Sequence, residues 1–136
     1  VMYLYDDYSL RQAMEKMEYH KYSAVPIINR AGNYVGTLTE GDVLWELKDR
    51  KLANLHEAEE IMLRHINRKR DNEPVNVNCN IEDLVMTSMN QNFVPFIDDN
   101  GIFIGIVTRK SIIEYCYKQY KAVSSAQAGV EKVTEL

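Results

Sequence analysis

At 136 residues the chain has room for one domain-sized core. Its 46% hydrophobic and 26% charged content is that of an ordinary globular protein, and a net charge of −4 argues against a surface built to coat nucleic acid or an anionic membrane. No apolar run nears the roughly 18 residues of a membrane span. No signal-peptide pattern is present, and Val1 stands where an initiator Met would, as in a chain trimmed from a longer one.

In chain order, "MYLY" reads as a short strand, and Leu10, Ala13, Met14 and Met17 fall at the i, i+3, i+4, i+7 spacing of an amphipathic helix. "AVPII" (24–28) has strand character, and its proline, which cannot donate a ladder hydrogen bond, predicts an edge or a strand start. "NRAGN" is turn chemistry, "YVGTL" a second strand, and Thr39 a helix N-cap before the apolar positions Val43, Leu44 and Leu47. Residues 49–73 read as a connector, with a short helix in "HEAEEIML" and a basic loop in "RHINRKRDN". The same series then returns: "PVNV", a helix on Ile81, Leu84, Val85 and Met89, "FVPFI" (93–97), "DDNG", "IFIGIV", and a helix capped by Thr108 that carries Ile112, Ile113 and Cys116. The small, polar stretch 122–136 reads as a tail with a loose end.

The return is a repeat in register. Gly36 and Gly105, Pro26 and Pro95, Gly32 and Gly101, and Thr39 and Thr108 all stand at one offset, whereas Leu10 and Ile81 stand two residues further apart. The second copy is therefore two residues shorter before its proline-bearing strand. "GNYVGTLTEGD" and "GIFIGIVTRKS" share their glycines and threonine but end differently, in Asp42 and Ser111.

Two cysteines, Cys79 and Cys116, lack metal-ligand spacing and read as free thiols, which points to a cytoplasmic location. His20, His56 and His65 are scattered without metal partners. No nucleophile–base pair, metal cluster or phosphate-binding glycine loop supports an enzyme, and no cofactor is expected.

A β-α-β-β-α unit with "SAVPII" followed by Gly-x-x-Thr-x-x-Asp, present twice, resembles the tandem CBS (cystathionine β-synthase) domain family over roughly residues 1–121. The resemblance implies an α/β (α+β) fold of two pseudo-symmetric repeats, 1–48 and 74–121, packed as one intertwined module about the connector, with 122–136 as a tail. It implies a regulatory sensor that binds AMP, ADP, ATP or another adenosine ligand in clefts between the repeats, dimerises, and signals to an unknown regulated protein. The family's cleft assembly sets the Tyr-Ser-Ala-Val-Pro type segment of one repeat against the Thr-x-x-Asp of the other. The first cleft would then take Met2, Tyr22, Ser23, Ala24, Pro26, Thr108, Arg109 and Ser111. The second would take Thr39, Asp42, Ile66, Asn67, Asn92, Phe93, Val94 and Pro95. The second repeat is also similar to stand-alone cyclic di-AMP-binding CBS proteins of Gram-positive bacteria, with Thr108-Arg109-Lys110 where those carry Thr-Arg-Arg.

The chemistry fits such ligands. One carboxylate can accept both hydroxyls of a free ribose diol, the role the family gives the aspartate and hence Asp42. Phosphate favours a helix N-terminus, and Arg109 with Lys110 adds charge there. Ser111 in place of an aspartate suits a cyclic dinucleotide, which has no free diol. Other readings stay open. Thr39-x-x-Asp42 also fits a capping box, a role that can coexist with ligand binding. Arg64, Arg68, Lys69 and Arg70 form a charge cluster that is most often only solvated. The loss of the second aspartate also fits a dimerisation scaffold with degenerate, non-binding clefts.

Overall fold

The computed structural model describes residues 2–68 and 71–131, with side chains through Val123. Each repeat builds a three-stranded sheet. In the first, β1 (Leu4–Tyr5) pairs in parallel with β2 (Ala24–Ile28), which pairs antiparallel with β3 (Tyr34–Thr39). In the second, β4 (Val75–Asn76), β5 (Phe93–Ile97) and β6 (Phe103–Thr108) repeat that order. The register shifts at the same place in both hairpins, between Ile27 and Ile28 and between Phe96 and Ile97. A helix precedes each hairpin and another follows it: α1 (Leu10–His20) and α2 (Glu40–Asp49), then α4 (Ile81–Ser88) and α5 (Arg109–Glu131). The mixed α+β fold expected from the sequence is the one observed.

Local chemistry explains the boundaries. Ser9 and Gln12 form a capping box at α1. Asn80 caps α4 by accepting from the Asp83 N–H at 2.8 Å. The two hairpin turns match atom for atom. Asn29 Oδ1 accepts from the N–H groups of Ala31 and Asn33, and Asp98 Oδ1 from those of Asn100 and Ile102. Gly32 and Gly101 close these turns at φ +91° and +81°, a region costly for any residue with a Cβ. The turns also join the repeats: Phe103 N–H donates to Gly32 O at 2.8 Å and Tyr34 N–H to Gly101 O at 3.3 Å.

Three expectations need correction. Pro26 lies in the middle strand of its sheet rather than at an edge. The Thr37 N–H opposite it donates to Asp71 instead of across the ladder, so Pro26 and Thr37 form a non-hydrogen-bonded pair. The proline nitrogen therefore faces the β1 side, where pairing covers only Ile27 and Ile28. Second, the connector, expected to carry a short helix over 56–63, carries only a single turn at its start. It holds α3 (Leu55–Ala58) and a 3₁₀ turn (Leu63–His65), and its Ala58, Ile61, Leu63 and Ile66 are buried in one core with Leu4, Leu10, Val25, Ile27 and Leu38. Lys69 and Arg70 of the basic loop lie outside the described residues. Third, α5 continues past residue 121 to Glu131. Ala, Gln and Glu after position 121 are good helix formers, and elongating an existing helix costs far less than nucleating one. Residues 132–136 of the expected tail lie outside the described residues.

Candidate functional site

A groove of about 330 Å³ runs between the repeats, lined by Thr39, Gly41, Asp42 and Trp45 from the first and by Asn90, Gln91, Asn92 and Arg109 from the second, with Asn72 of the connector. Two local rules bring these residues together. The first is the Thr39 capping box: Thr39 Oγ1 accepts from the Asp42 N–H at 3.1 Å, and Asp42 Oδ2 accepts from the Thr39 N–H at 3.0 Å. This fixes the carboxylate on the first turn of α2, where its charge also suits the helix dipole. Asp42 is only 5% exposed, so the groove is the surface it reaches. Trp45, three residues on, lies on the same helix face.

The second rule is the β5–β6 ladder. Phe93 pairs with Thr108, and the Arg109 N–H donates to Asn92 O at 2.9 Å, so Arg109 travels with Asn92 into the groove. Arg109 Nε donates to Ser88 O at 3.1 Å, which orients the guanidinium. Asn72 is held from both ends. Its carbonyl accepts from the Tyr34 hydroxyl at 2.7 Å, and its amide donates to Phe93 O at 3.1 Å. Burial pushes the Tyr34 hydroxyl up to about 12, against a weaker opposing effect of its bond to Thr37, so it stays a neutral donor at physiological pH.

The structure brings Thr39, Asp42 and Asn92 into one groove with Arg109, a residue the resemblance gives to the other cleft. The reason is the ladder: a residue just after β6 lies beside Asn92 of its own hairpin. The other residues of the second set lie elsewhere. Phe93, Val94 and Pro95 are buried in the second repeat, Ile66 in the core of the first, and Asn67 is exposed outside the groove lining. Of the first set, Met2 packs against the first core and Pro26 is buried. Tyr22 lines a separate apolar groove between α1 and α2 with Met14, Met17, Val43 and Leu44. Ser23 and Ala24 lie beside their own repeat's helix start: Ala24 pairs with Thr39, and Ser23 O accepts from the Glu40 N–H at 3.0 Å. Thr108 and Ser111 are exposed and bonded to each other, hydroxyl to hydroxyl at 2.9 Å. Residues missed from the sequence are Gly41, Trp45, Asn72, Asn90 and Gln91. The amide run "NQN" and the sole tryptophan, one turn after Asp42, were the available signals.

Chemically, the groove offers a carboxylate, a guanidinium, an indole and several amides, a set suited to a polar ligand with a flat ring and an anionic end. Among the described residues no group of three or more His, Cys, Asp or Glu side chains could hold a metal, and no helix is long and apolar enough to cross a membrane.

The CBS domain model matches residues 1–49 and 58–118. Among solved structures, CbpB in complex with c-di-AMP superposes with a TM-score of 0.81 at 24% identity, over 93% of this chain and 83% of that one. CbpB from Streptococcus agalactiae gives 0.78 at 25% identity, over 92% and 78%. CBSX2 in complex with AMP gives 0.68 at 18%, over 88% and 90%. Two curated proteins of Methanocaldococcus jannaschii are also similar. An L-aspartate semialdehyde sulfurtransferase is 29% identical over 104 residues, and an uncharacterised protein 25% over 113. The chain spans only 19% and 26% of their respective lengths.

Proposed function

Because the chain belongs to the CBS-domain family, whose model matches nearly all of both repeats, we propose that it is a regulatory module that binds an adenine nucleotide between its repeats and passes occupancy to a partner protein. The observation that carries this reading is the inter-repeat groove, where Thr39 and Asp42 of one repeat meet Asn92 and Arg109 of the other. A ligand touching both walls favours the arrangement that keeps them together. Such a ligand shifts a partner's affinity by its own differential affinity for the two arrangements. Bound c-di-AMP and AMP in the two similar proteins support an adenine ligand here. CBS domains are generally regulatory, and the sulfurtransferase named above matches this chain over too little of its length to lend it an activity.

The test is calorimetry on ligand-free protein with AMP, ATP and cyclic di-AMP, together with thermal unfolding. Binding of at least one is expected, with stabilisation by roughly 2.7 kcal/mol at a ligand concentration a hundredfold above Kd. No heat and no thermal shift with any of the three would overturn the reading and leave a dimerisation scaffold.

A further inference from the structure

The two sheets match in register, yet their outer edges differ. On β3, Arg68 Nη2 donates to Val35 O at 3.2 Å, and Asp71 Oδ1 accepts from the Thr37 N–H at 2.9 Å. The two side chains also bond to each other, Arg68 Nε to Asp71 Oδ1 at 2.7 Å, so one pair serves both backbone groups. Gly36 leaves the room for it, since a Cβ there would lie 2.6 Å from both Arg68 Nη2 and Asp71 Oδ1. On β6 the same positions are Ile104, Gly105 and Ile106. Pro95 stands opposite Ile106 as Pro26 stands opposite Thr37, so the Ile106 N–H points away from the ladder. Among the described residues no side chain bonds to it or to the Ile104 carbonyl. The glycine is kept, with nothing within 4 Å of an added Cβ, and Ile104 is 56% exposed. The chain entering β1 mirrors the chain entering β4, and its Tyr3 meets Phe103, ring to ring at 6.1 Å. No described residue takes the places of Arg68 and Asp71 on this edge.

We propose that the β6 edge docks an extended segment of a partner protein that carries an arginine and an aspartate three residues apart, laid over Gly105 as residues 68–71 lie over Gly36. The chain itself supplies the precedent: the equivalent edge, with the same register and the same glycine, is filled by that chemistry. Charge complementarity points the same way. A carboxylate suits the partial positive charge of an outward N–H, and a planar guanidinium with several donors can serve a carbonyl and that carboxylate at once. An open strand edge is a ready template for an added segment. None of Ile104, Gly105 and Ile106 lines the Asp42 groove, so the inference stands independently of the nucleotide reading.

The probe is a synthetic peptide with the sequence of residues 66–73, Ile-Asn-Arg-Lys-Arg-Asp-Asn-Glu, titrated into the isotope-labelled chain and followed by amide resonances. The Ile106 amide is expected to shift to saturation while the Thr37 amide, already bonded to Asp71, stays in place. Peptides with alanine for the first arginine or for the aspartate should bind about tenfold more weakly or worse, as loss of a charge-assisted hydrogen bond does. Gly105→Ala should leave the rest of the spectrum unchanged, because its Cβ meets open space, and should abolish the Ile106 shift, because that Cβ collides with the incoming pair as it would at Gly36. Four results would each overturn the inference: no saturable Ile106 shift at millimolar peptide, a shift at Thr37 instead, an Ile106 shift untouched by Gly105→Ala, or an Ile106 amide already protected from hydrogen exchange in the free chain. Conversion of a dimer to a monomer by Gly105→Ala would assign the edge to a second copy and overturn it as well.

Discussion

Gly36 and Gly105 stand at the same position in their strands but meet different surroundings. A Cβ on Gly36 would lie 2.6 Å from both Arg68 Nη2 and Asp71 Oδ1, while a Cβ on Gly105 would meet nothing within 4 Å. The two crowding side chains are tethered: Asp71 accepts from the Thr37 N–H at 2.9 Å, Arg68 donates to Val35 O at 3.2 Å, and the pair bond to each other. This clip covers the outer edge of β3. Gly36→Ala should dislodge it and cost about 1–3 kcal/mol, as overpacking and lost hydrogen bonds do. Gly105→Ala should be neutral or stabilising, because a strand glycine costs roughly 0.5–1 kcal/mol relative to alanine. Denaturant midpoints of the two variants check the contrast. The repeat makes both glycines legible in the sequence. Their difference is not legible, because it depends on connector residues more than thirty positions away.

A second residue-scale prediction concerns pH. Arg30 bonds both oxygens of Asp7, at 2.8 and 2.9 Å, and holds its carboxyl below the usual range. The folded-state pKa lies below the unfolded one, so the pair's contribution is present above about pH 4 and fades as pH falls through the folded value. Arg30→Met should therefore be less stable than the parent chain at neutral pH, with the gap narrowing at acid pH. Urea unfolding across that range reads it directly.

At the scale of elements, α2 poses the question raised by Thr39-x-x-Asp42. Both readings of that spacing now have a physical basis: the capping box is formed, and the same carboxylate lines the groove. Asp42→Asn separates them. An amide oxygen still accepts from the Thr39 N–H, so helix stability should fall by no more than about 1 kcal/mol. The charge that would hold a ribose diol is gone, so AMP binding should weaken by a factor of about 10 or more, since hydrogen bonds to charged groups exceed neutral ones by that order. Equal affinity for AMP in both forms, measured by calorimetry, would confine Asp42 to the cap. Elements themselves were largely readable, because helix and strand periods and cap residues are local. The exceptions came from elsewhere in the fold. Pro26 is tolerated mid-sheet because β1 is two residues long, and the connector is core because Ile61, Leu63 and Ile66 find partners in β1 and β2.

At the scale of the molecule, the two repeats are unequal in what they bury. The first core unites buried residues of β1, α1, both long strands and the connector, whereas the second, among the described residues, consists of Leu84, Val94 and Ile112 with partly buried surroundings. Apolar side chains are left outside on the helices. Leu44 on α2 is 66% exposed and its counterpart Ile113 on α5 is 61% exposed, with Met86 and Met89 also open to solvent. Their positions were visible in the sequence as apolar helix faces, but a period cannot say whether a face meets its own chain or another. The tandem of equivalent faces, Leu44 beside the apolar groove between α1 and α2 and Ile113 in the matching place, suits a second copy that covers both at once by a two-fold operation. Such a pair would also carry a nucleotide signal, because α2 bears Asp42 and Trp45 on one side and Leu44 on another. The chain should therefore sediment as a dimer, and the double variant Leu44→Lys with Ile113→Lys should sediment as a monomer without loss of helix content. Nucleotide should shift the dimer's dissociation constant in the parent chain and have no such effect in Asp42→Asn. A monomeric parent chain at micromolar concentration would overturn the dimer and leave the groove untouched.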